Sequence, residues 1–429
     1  MRVAVVGGGW SGLSAAVHAT ALGHRVTLFE MAPRLGGRAR EVEARNLRLD
    51  NGQHILIGAY RATIALMRQV GVPVEEALHR TPLALVGPDG RGLVLPRGAP
   101  RVAFVRAVLG RTGWSWQERI ALLRVALGWA RAGFACEPSR TVSEIAAPLS
   151  DAVRTGLVDP LCVAALNTPA SQASASVFLR VLRDALFSGP GSADLLLPKC
   201  SLSALLPDPA AHWLASHGCR LRLGARVQRL DAAGSGSWVV NGERFDSAIL
   251  AASASETARL VGSLQPAWTQ AADCLRHEPI VTVYATSPGA RLGAPMIALE
   301  SNAEAPAQFV FDLQALRGVP GLLALVVSGA GAWVERGLQA TADAALSQAR
   351  RALAGHLTGS VQLVKVLVEK RATFACVPGL ERPPATIAPG LLAAGDYIDG
   401  PYPATLEGAV RSGLAAAAAL SVHDAKSAP

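Results

Sequence analysis

Gly7, Gly9 and Gly12 follow the apolar run Val3-Ala4-Val5-Val6 near the start of a 429-residue chain. Glycines at this spacing suit a phosphate-bearing ligand. The first takes a tight turn, the second lets backbone amides approach a pyrophosphate with no Cβ in the way, and the third lets a helix pack closely on a strand. Ser11 lies among them, at the start of a helix predicted over 13–22, whose N-terminus is where the phosphates rest. After Gly23 a second strand is expected over 24–29, and Glu30 closes it 18 residues beyond Gly12, where a carboxylate binds a ribose hydroxyl pair. An ordinary strand-to-helix turn accounts for the glycines alone. It does not account for strand, turn, helix, second strand and terminal acid in the order a dinucleotide requires.

The loop that follows carries Arg34, Gly36, Gly37 and Arg38. Two arginines offset phosphate charge with forked donors, and paired glycines admit close backbone approach; a solvated basic loop is the alternative. The segment resembles the FAD-binding motif of the flavin amine oxidase and phytoene desaturase superfamily. That resemblance implies FAD, with Gly36, Gly37 and Arg38 against its pyrophosphate and ribityl chain. Near the other end, Leu391-Leu392-Ala393-Ala394-Gly395-Asp396 and the run from Tyr397 to Ala409 are similar to the C-terminal flavin motif of the same superfamily. By that likeness Gly395 and Asp396 meet ribityl or pyrophosphate oxygens, and Thr405 and Leu406 offer amides at a helix facing the flavin N1/O2 edge. A helix dipole there stabilises a reduced, anionic flavin. Glu407 is a further candidate. The segment 219–230 resembles the one whose valine backbone meets the adenine, which makes Val227 the matching position.

These motifs lie far apart in the chain, so one domain has to be assembled from separated pieces. The expected fold class is α/β. A discontinuous Rossmann-like FAD-binding domain takes 1–75, 195–262 and 385–420; a substrate domain of mixed β-sheet takes 76–99 and 263–384; a helical insert takes 100–194 and is a candidate membrane-facing cap. Asp89-Gly90 between 83–86 and 92–95 is a hairpin signal. Apolar strands are expected over 279–285, 307–313, 322–328 and 361–369, with one helix over 340–357, and the tail 421–429 is expected to fray.

Six cysteines show no paired metal spacing and no secretory apolar region precedes the first strand, which points to a reducing cytoplasm, no disulfides and no metal. The longest apolar runs fall short of the ~20 residues that span a bilayer. Net charge is +9, with only four lysines among 41 basic residues. Charge alone names no partner, and without a recognition motif nucleic acid is not expected as one. The stretch 101–135 is distinctive, because arginines and Trp114, Trp116 and Trp129 interleave with leucines at helical spacing. Such helices either lie in a membrane interface, here the inner face of the cytoplasmic membrane, or simply cover a substrate domain.

Two further segments bear on the reaction: Asp50-Asn51-Gly52-Gln53-His54 continuing to Tyr60, and Asn167-Thr168-Pro169. With the proline-flanked Tyr402, they resemble the hydroxysqualene dehydroxylase family, a likeness that runs over nearly the whole chain. It implies reduction of a long-chain isoprenoid alcohol: the allylic hydroxyl leaves and the carbon receives hydride from reduced flavin, giving squalene for hopanoid synthesis. The protein must then supply an acid and a dry pocket. Asp50 and His54 are the candidate acids; Tyr60, Tyr397 and Tyr402 can orient the hydroxyl or face a cation. Asp50 reads equally as a turn or cap residue, and His54 as a core imidazole. Lys199-Cys200-Ser201 departs from the Gly-Gly pair common in the wider superfamily. The rival readings are a carotenoid-type desaturase running hydride transfer the other way, a flavin amine oxidase, and a non-catalytic prenyl-chain binder. NADPH and a separate reductase both remain open as electron donor.

Overall fold

The structure is a computed structural model describing residues 1–44, 46–234 and 236–427. Its first sheet runs in the order Arg220–Arg222, Arg25–Phe29, Arg2–Val6, Ser247–Leu250, Leu391–Ala393 and Thr386–Ala388. The first five strands are parallel and the last is antiparallel. Val3, Ala4 and Val5 are fully buried, as near-continuous apolar runs are when both faces of a parallel sheet are covered. One face is covered by the helices Trp10–Ala21 and Leu406–Ser427, which approach closely: Ser14 Oγ donates to the Val410 carbonyl at 2.8 Å, and a Cβ at Gly413 would stand 2.2 Å from the Ser11 carbonyl. The latter helix continues through Ser427 where fraying was expected; residues 428 and 429 lie outside the described residues.

The second large sheet is antiparallel, ordered Met296–Ala298, Phe309–Asp312, Leu322–Val327, His277–Thr286, Gln362–Phe374. Its two faces follow the period of two. Val281, Val283 and Ala285 pack under the helix Leu338–Ala352 with Ala342, Ala345 and Ala349, whereas Ile280 and Thr282 face a cavity. The helix is shorter than the expected 340–357, ending at Ala352 before a single tighter turn, Ala354–His356. The strand Met296–Ala298 and the helix Gly331–Arg336 were not anticipated.

The stretch 76–99 divides. The strand Leu78–Thr81 pairs with Leu195–Pro198, which also pairs with Leu56–Ile57, so it joins a small sheet with residues assigned in sequence to the cofactor domain. Ala84–Val86 and Gly92–Val94 form the expected hairpin.

Between 100 and 187 the chain is helical: Pro100–Gly110, Trp116–Arg131, Val142–Ala146, Asp151–Val153, Asp159–Leu166 and Ala175–Phe187. Capping boxes start two of these, Ser115 with Glu118 and Thr141 with Glu144. Pro160 lacks an N–H and would crowd the carbonyl four residues back, and a wide π turn, Arg154–Val158, stands immediately before its helix. Asn167 ends that helix in the left-handed conformation and fastens it to the antiparallel sheet. Its Nδ2 donates to the Glu278 carbonyl (3.2 Å) and Thr373 Oγ1 (2.9 Å), and its Oδ1 accepts from Gly329 N–H (2.6 Å).

Glu407 is fully buried and clamps one helix onto another. It accepts from the Ala62 and Thr63 amides and the Thr63 hydroxyl, capping the helix Arg61–Gln69 from outside, and it pairs with Arg411 at 3.0 Å. Glu407→Ala strands these donors and should cost about 2 kcal/mol or more in urea unfolding; a loss below about 0.5 kcal/mol would remove the clamp.

Candidate active site

The strand ends of the parallel sheet and the inner face of the antiparallel sheet enclose one cavity of about 650 Å³. Gly7, Gly9, Ser11, Glu30, Gly36, Gly37, Arg38, Val227, Gly395, Asp396, Thr405 and Leu406 all line it, as do His54 and Tyr60. At one end the glycine turn and the paired-glycine loop touch: Gly36 N–H donates to the Gly8 carbonyl at 2.8 Å, and a Cβ at Gly37, whose φ is +59°, would stand 3.1 Å from Gly9 Cα. A Cβ at Gly9 would meet only Gly37 Cα, at 3.9 Å, so the space above this backbone is cavity. Gly9 caps the helix Trp10–Ala21 without a side chain, which leaves its first amides for an anion. Gly12 serves packing instead and does not line the cavity, since a Cβ there would lie 1.9 Å from the Gly7 carbonyl.

Glu30 accepts from the Gly8 and Ala32 amides, each at 2.7 Å, which fixes its carboxylate at the cavity wall with lone pairs to spare. Arg38 donates to Asp396 Oδ1 at 2.5 Å and to the Ala372 carbonyl at 2.8 Å; the Asp396 carboxylate beside it holds the guanidinium above its ordinary range. Arg34, expected as a second phosphate contact, points elsewhere. It is half exposed, pairs with Glu43 at 2.9 Å and does not line the cavity. The Val227 carbonyl accepts from Arg259 at 2.7 Å. Thr405 caps the helix Leu406–Ser427, its Oγ1 accepting from Gly408 N–H at 3.0 Å.

The other end is built on residues 50–55. Asp50 is 1% exposed and off the cavity. One oxygen accepts from Leu202 N–H at 2.9 Å and the other pairs with Arg317. Burial pushes its carboxyl up and Arg317 opposes that shift. The Tyr284 hydroxyl donates to the Asp50 carbonyl (2.9 Å) and accepts from Gln53 Nε2 (2.9 Å). Asn51 Nδ2 reaches the Arg38 carbonyl (3.0 Å) and Glu369 (2.9 Å). The loop is thus held from below, and His54 faces the cavity. Its Nδ1–H donates to the Gly52 carbonyl at 3.1 Å, which leaves Nε2 for a ligand; burial lowers the imidazole below its ordinary value, so it is neutral near pH 7.

Burial pushes the Tyr60 phenol well above its usual range, so its proton stays on. Tyr402 packs edge-on against Tyr60, with ring centroids 6.3 Å apart, but does not line the cavity; burial and Asp184 push it up to about 12. Tyr397 lines the cavity with its hydroxyl 3.1 Å from Thr257 Oγ1. Beyond His54 the walls become apolar, with Val163, Ile280, Phe309, Phe311, Val326 and Leu367. Sequence reasoning passed over Arg317, Tyr284, Glu369 and Thr282. Only Thr282 carried a signal, a hydroxyl at a cavity-facing position of an apolar strand.

Bare backbone at Gly9 and Gly37, an uncapped helix start, and acids at Glu30 and Asp396 fit the diphosphate, ribose and ribityl groups of FAD. Residues 10–421 match the family described as flavin containing amine oxidoreductase. The chain is 28% identical to a hydroxysqualene dehydroxylase of Rhodopseudomonas palustris, covering 97% of each chain, and 25% identical to one of Zymomonas mobilis, covering 96% and 97%. A probable zeta-carotene desaturase of Synechococcus elongatus is 38% identical over only 17% of this chain and 15% of its own. In fold the chain is similar to an oxidoreductase of Methanosarcina mazei, with a TM-score of 0.74, 16% identity and coverage of 99% and 100%.

Asp50→Asn leaves the Arg317 charge buried without its partner, which should cost about 3–5 kcal/mol in chemical unfolding. The paired replacement Asp50→Leu with Arg317→Met should recover most of it; a neutral Asp50→Asn would sink the anchoring role.

Proposed function

The chain belongs to the flavin containing amine oxidoreductase family, and from that premise we propose that this FAD-dependent oxidoreductase reduces hydroxysqualene to squalene. The observation that carries the reading is the make-up of one cavity, in which groups suited to phosphates and ribose give way, past His54, to a chamber walled by aliphatic and phenyl side chains. End-to-end likeness to hydroxysqualene dehydroxylases supports the choice of substrate.

When bound and reduced, FAD supplies hydride. The chain supplies the rest. His54, neutral at rest, takes a proton from solvent at Nε2 while Nδ1–H stays on the Gly52 carbonyl, and passes it to the allylic hydroxyl; the C–O bond breaks and water leaves. Burial makes that imidazolium a stronger acid than it is in water. The Phe309 and Phe311 rings line the chamber, where π faces stabilise a delocalised cation and the walls exclude water. Asp50 acts in this reading as the anchor of the loop rather than as the acid. Reducing equivalents come from NADPH or a separate reductase.

The reading includes peripheral contact with the inner face of the cytoplasmic membrane, where a long-chain isoprenoid partitions. No helix among the described residues is long and apolar enough to cross a membrane. The helices Pro100–Gly110 and Trp116–Arg131 expose Val102, Val105, Leu109, Ile120, Leu127 and, at 64%, Trp116. Arg101, Arg106, Arg124 and Arg131 are exposed on the same helices and make no ion pair among the described residues. Arg119 braces the two helices by donating to the Leu109 and Arg111 carbonyls at 2.9 and 2.7 Å. Apolar side chains among unpaired cations suit an anionic bilayer.

Anaerobic holoenzyme reduced with dithionite should convert hydroxysqualene to squalene, and His54→Gln should slow this about 100-fold or more with flavin absorbance unchanged. Untouched hydroxysqualene, together with new double bonds introduced into a polyene by the oxidised enzyme, would instead support a desaturase. Separately, vesicles containing phosphatidylglycerol should retain the wild-type protein. Trp116→Ser with Leu127→Ser should weaken that binding, and each Arg→Gln among the four should weaken it about 5-fold at low salt; binding unchanged by all of these would remove the membrane contact.

A further inference from the structure

Where the antiparallel sheet floors the chamber, its cavity face is built from Ile280, Val326, Leu367, Phe309 and Phe311. Thr282 stands in their midst, in register with Val326 on one neighbouring strand and Leu367 on the other. It is 1% exposed, and its hydroxyl has no hydrogen-bond partner among the described residues. A buried hydroxyl without a partner carries a desolvation penalty that a valine of similar size would avoid. Thr20 and Thr269 also have unpartnered hydroxyls, but neither lines the cavity.

Gly52 connects this orphan to the proposed acid. A Cβ built on Gly52 would come 3.7 Å from Thr282 Oγ1 and 4.0 Å from His54 Cε1. The hydroxyl and the imidazole therefore both stand beside the bare backbone of Gly52, whose φ is +89°. Thr282 and His54 both line the cavity, and its apolar wall continues from them.

We propose that Thr282 Oγ1 is the second polar contact of the substrate's hydroxyl, opposite His54, and that it lets the chamber distinguish the alcohol from its hydrocarbon product. The inference rests on the functional reading above. Thr282 O–H donates to the alcohol oxygen while His54 protonates it, and the departing water inherits the contact. The hydrocarbon left behind has nothing to offer the hydroxyl, so a site built to pair an alcohol disfavours a ligand that lacks one. This asymmetry favours product release.

The test is equilibrium binding to the oxidised holoenzyme, which holds no hydride and cannot turn over, read from perturbation of the flavin absorbance. Wild type should bind hydroxysqualene more tightly than squalene. Thr282→Val should weaken hydroxysqualene about 3- to 10-fold while leaving squalene unchanged, and Thr282→Ser should restore the preference. A preference retained in Thr282→Val overturns the assignment and leaves the reaction standing. Equal weakening of both ligands, or loss of flavin, would also overturn it, by tying the hydroxyl to packing or to the cofactor. Wild-type protein that binds neither ligand removes the functional reading as well.

Discussion

Parallel register is the constraint on which the site depends. The strands Arg25–Phe29, Arg2–Val6, Ser247–Leu250 and Leu391–Ala393 run side by side in one direction, so the residues after each of them emerge at the same edge. Glu30, Gly7 and Ala251 are those residues for the first three strands, Gly395 comes second after the fourth, and each of these lines the cavity. Parallel sheets collect ligand-binding groups at their carboxyl ends for this reason. The edge holds together only because backbone can approach backbone there. A side chain at Gly12 would strike the Gly7 carbonyl, and one at Gly413 would strike the Ser11 carbonyl between the covering helices. Small residues at these contacts let the two helices and the glycine turn pack closely.

The far end obeys a different logic. Its loop carries no regular hydrogen-bond ladder between residues 51 and 55, so its shape is imposed from outside. Asp50 anchors it through Arg317 and Leu202, Tyr284 grips it from the antiparallel sheet, and Asn51 reaches across to Glu369. A buried ion pair adds little net stability, because desolvation offsets much of the attraction, yet it penalises any arrangement that separates the two charges. That property suits a loop that must present one imidazole at a fixed place.

The two ends differ in the electrostatic environment they offer. Near Arg38 and Asp396 the wall is charged and partly open, which matches a ligand that brings phosphates. Near Phe309 and Phe311 it is apolar and buried, so any polar interaction there acts in a low dielectric and counts for more. One imidazole and one hydroxyl in such a chamber have more influence on a bound alcohol than they would at a surface.

The cofactor end was legible in sequence because its chemistry is written in local patterns. A glycine triplet after an apolar run, an acid at the end of the next strand and paired glycines beside an arginine each depend on near neighbours and on backbone geometry that few residue types tolerate. The expected helices, the hairpin at Asp89-Gly90 and most long strands could be read from periodicity for the same reason. What only the tertiary structure decided involves partners remote in the chain. Asp50 finds Arg317 at a separation of 267 residues, which takes it out of the cavity. Arg34 turns to Glu43, Leu78–Thr81 pairs with Leu195–Pro198, and Glu407 becomes a cap for another helix. In each case the residue type states what the side chain can bond, and only the packing of distant segments determines which of those bonds is made.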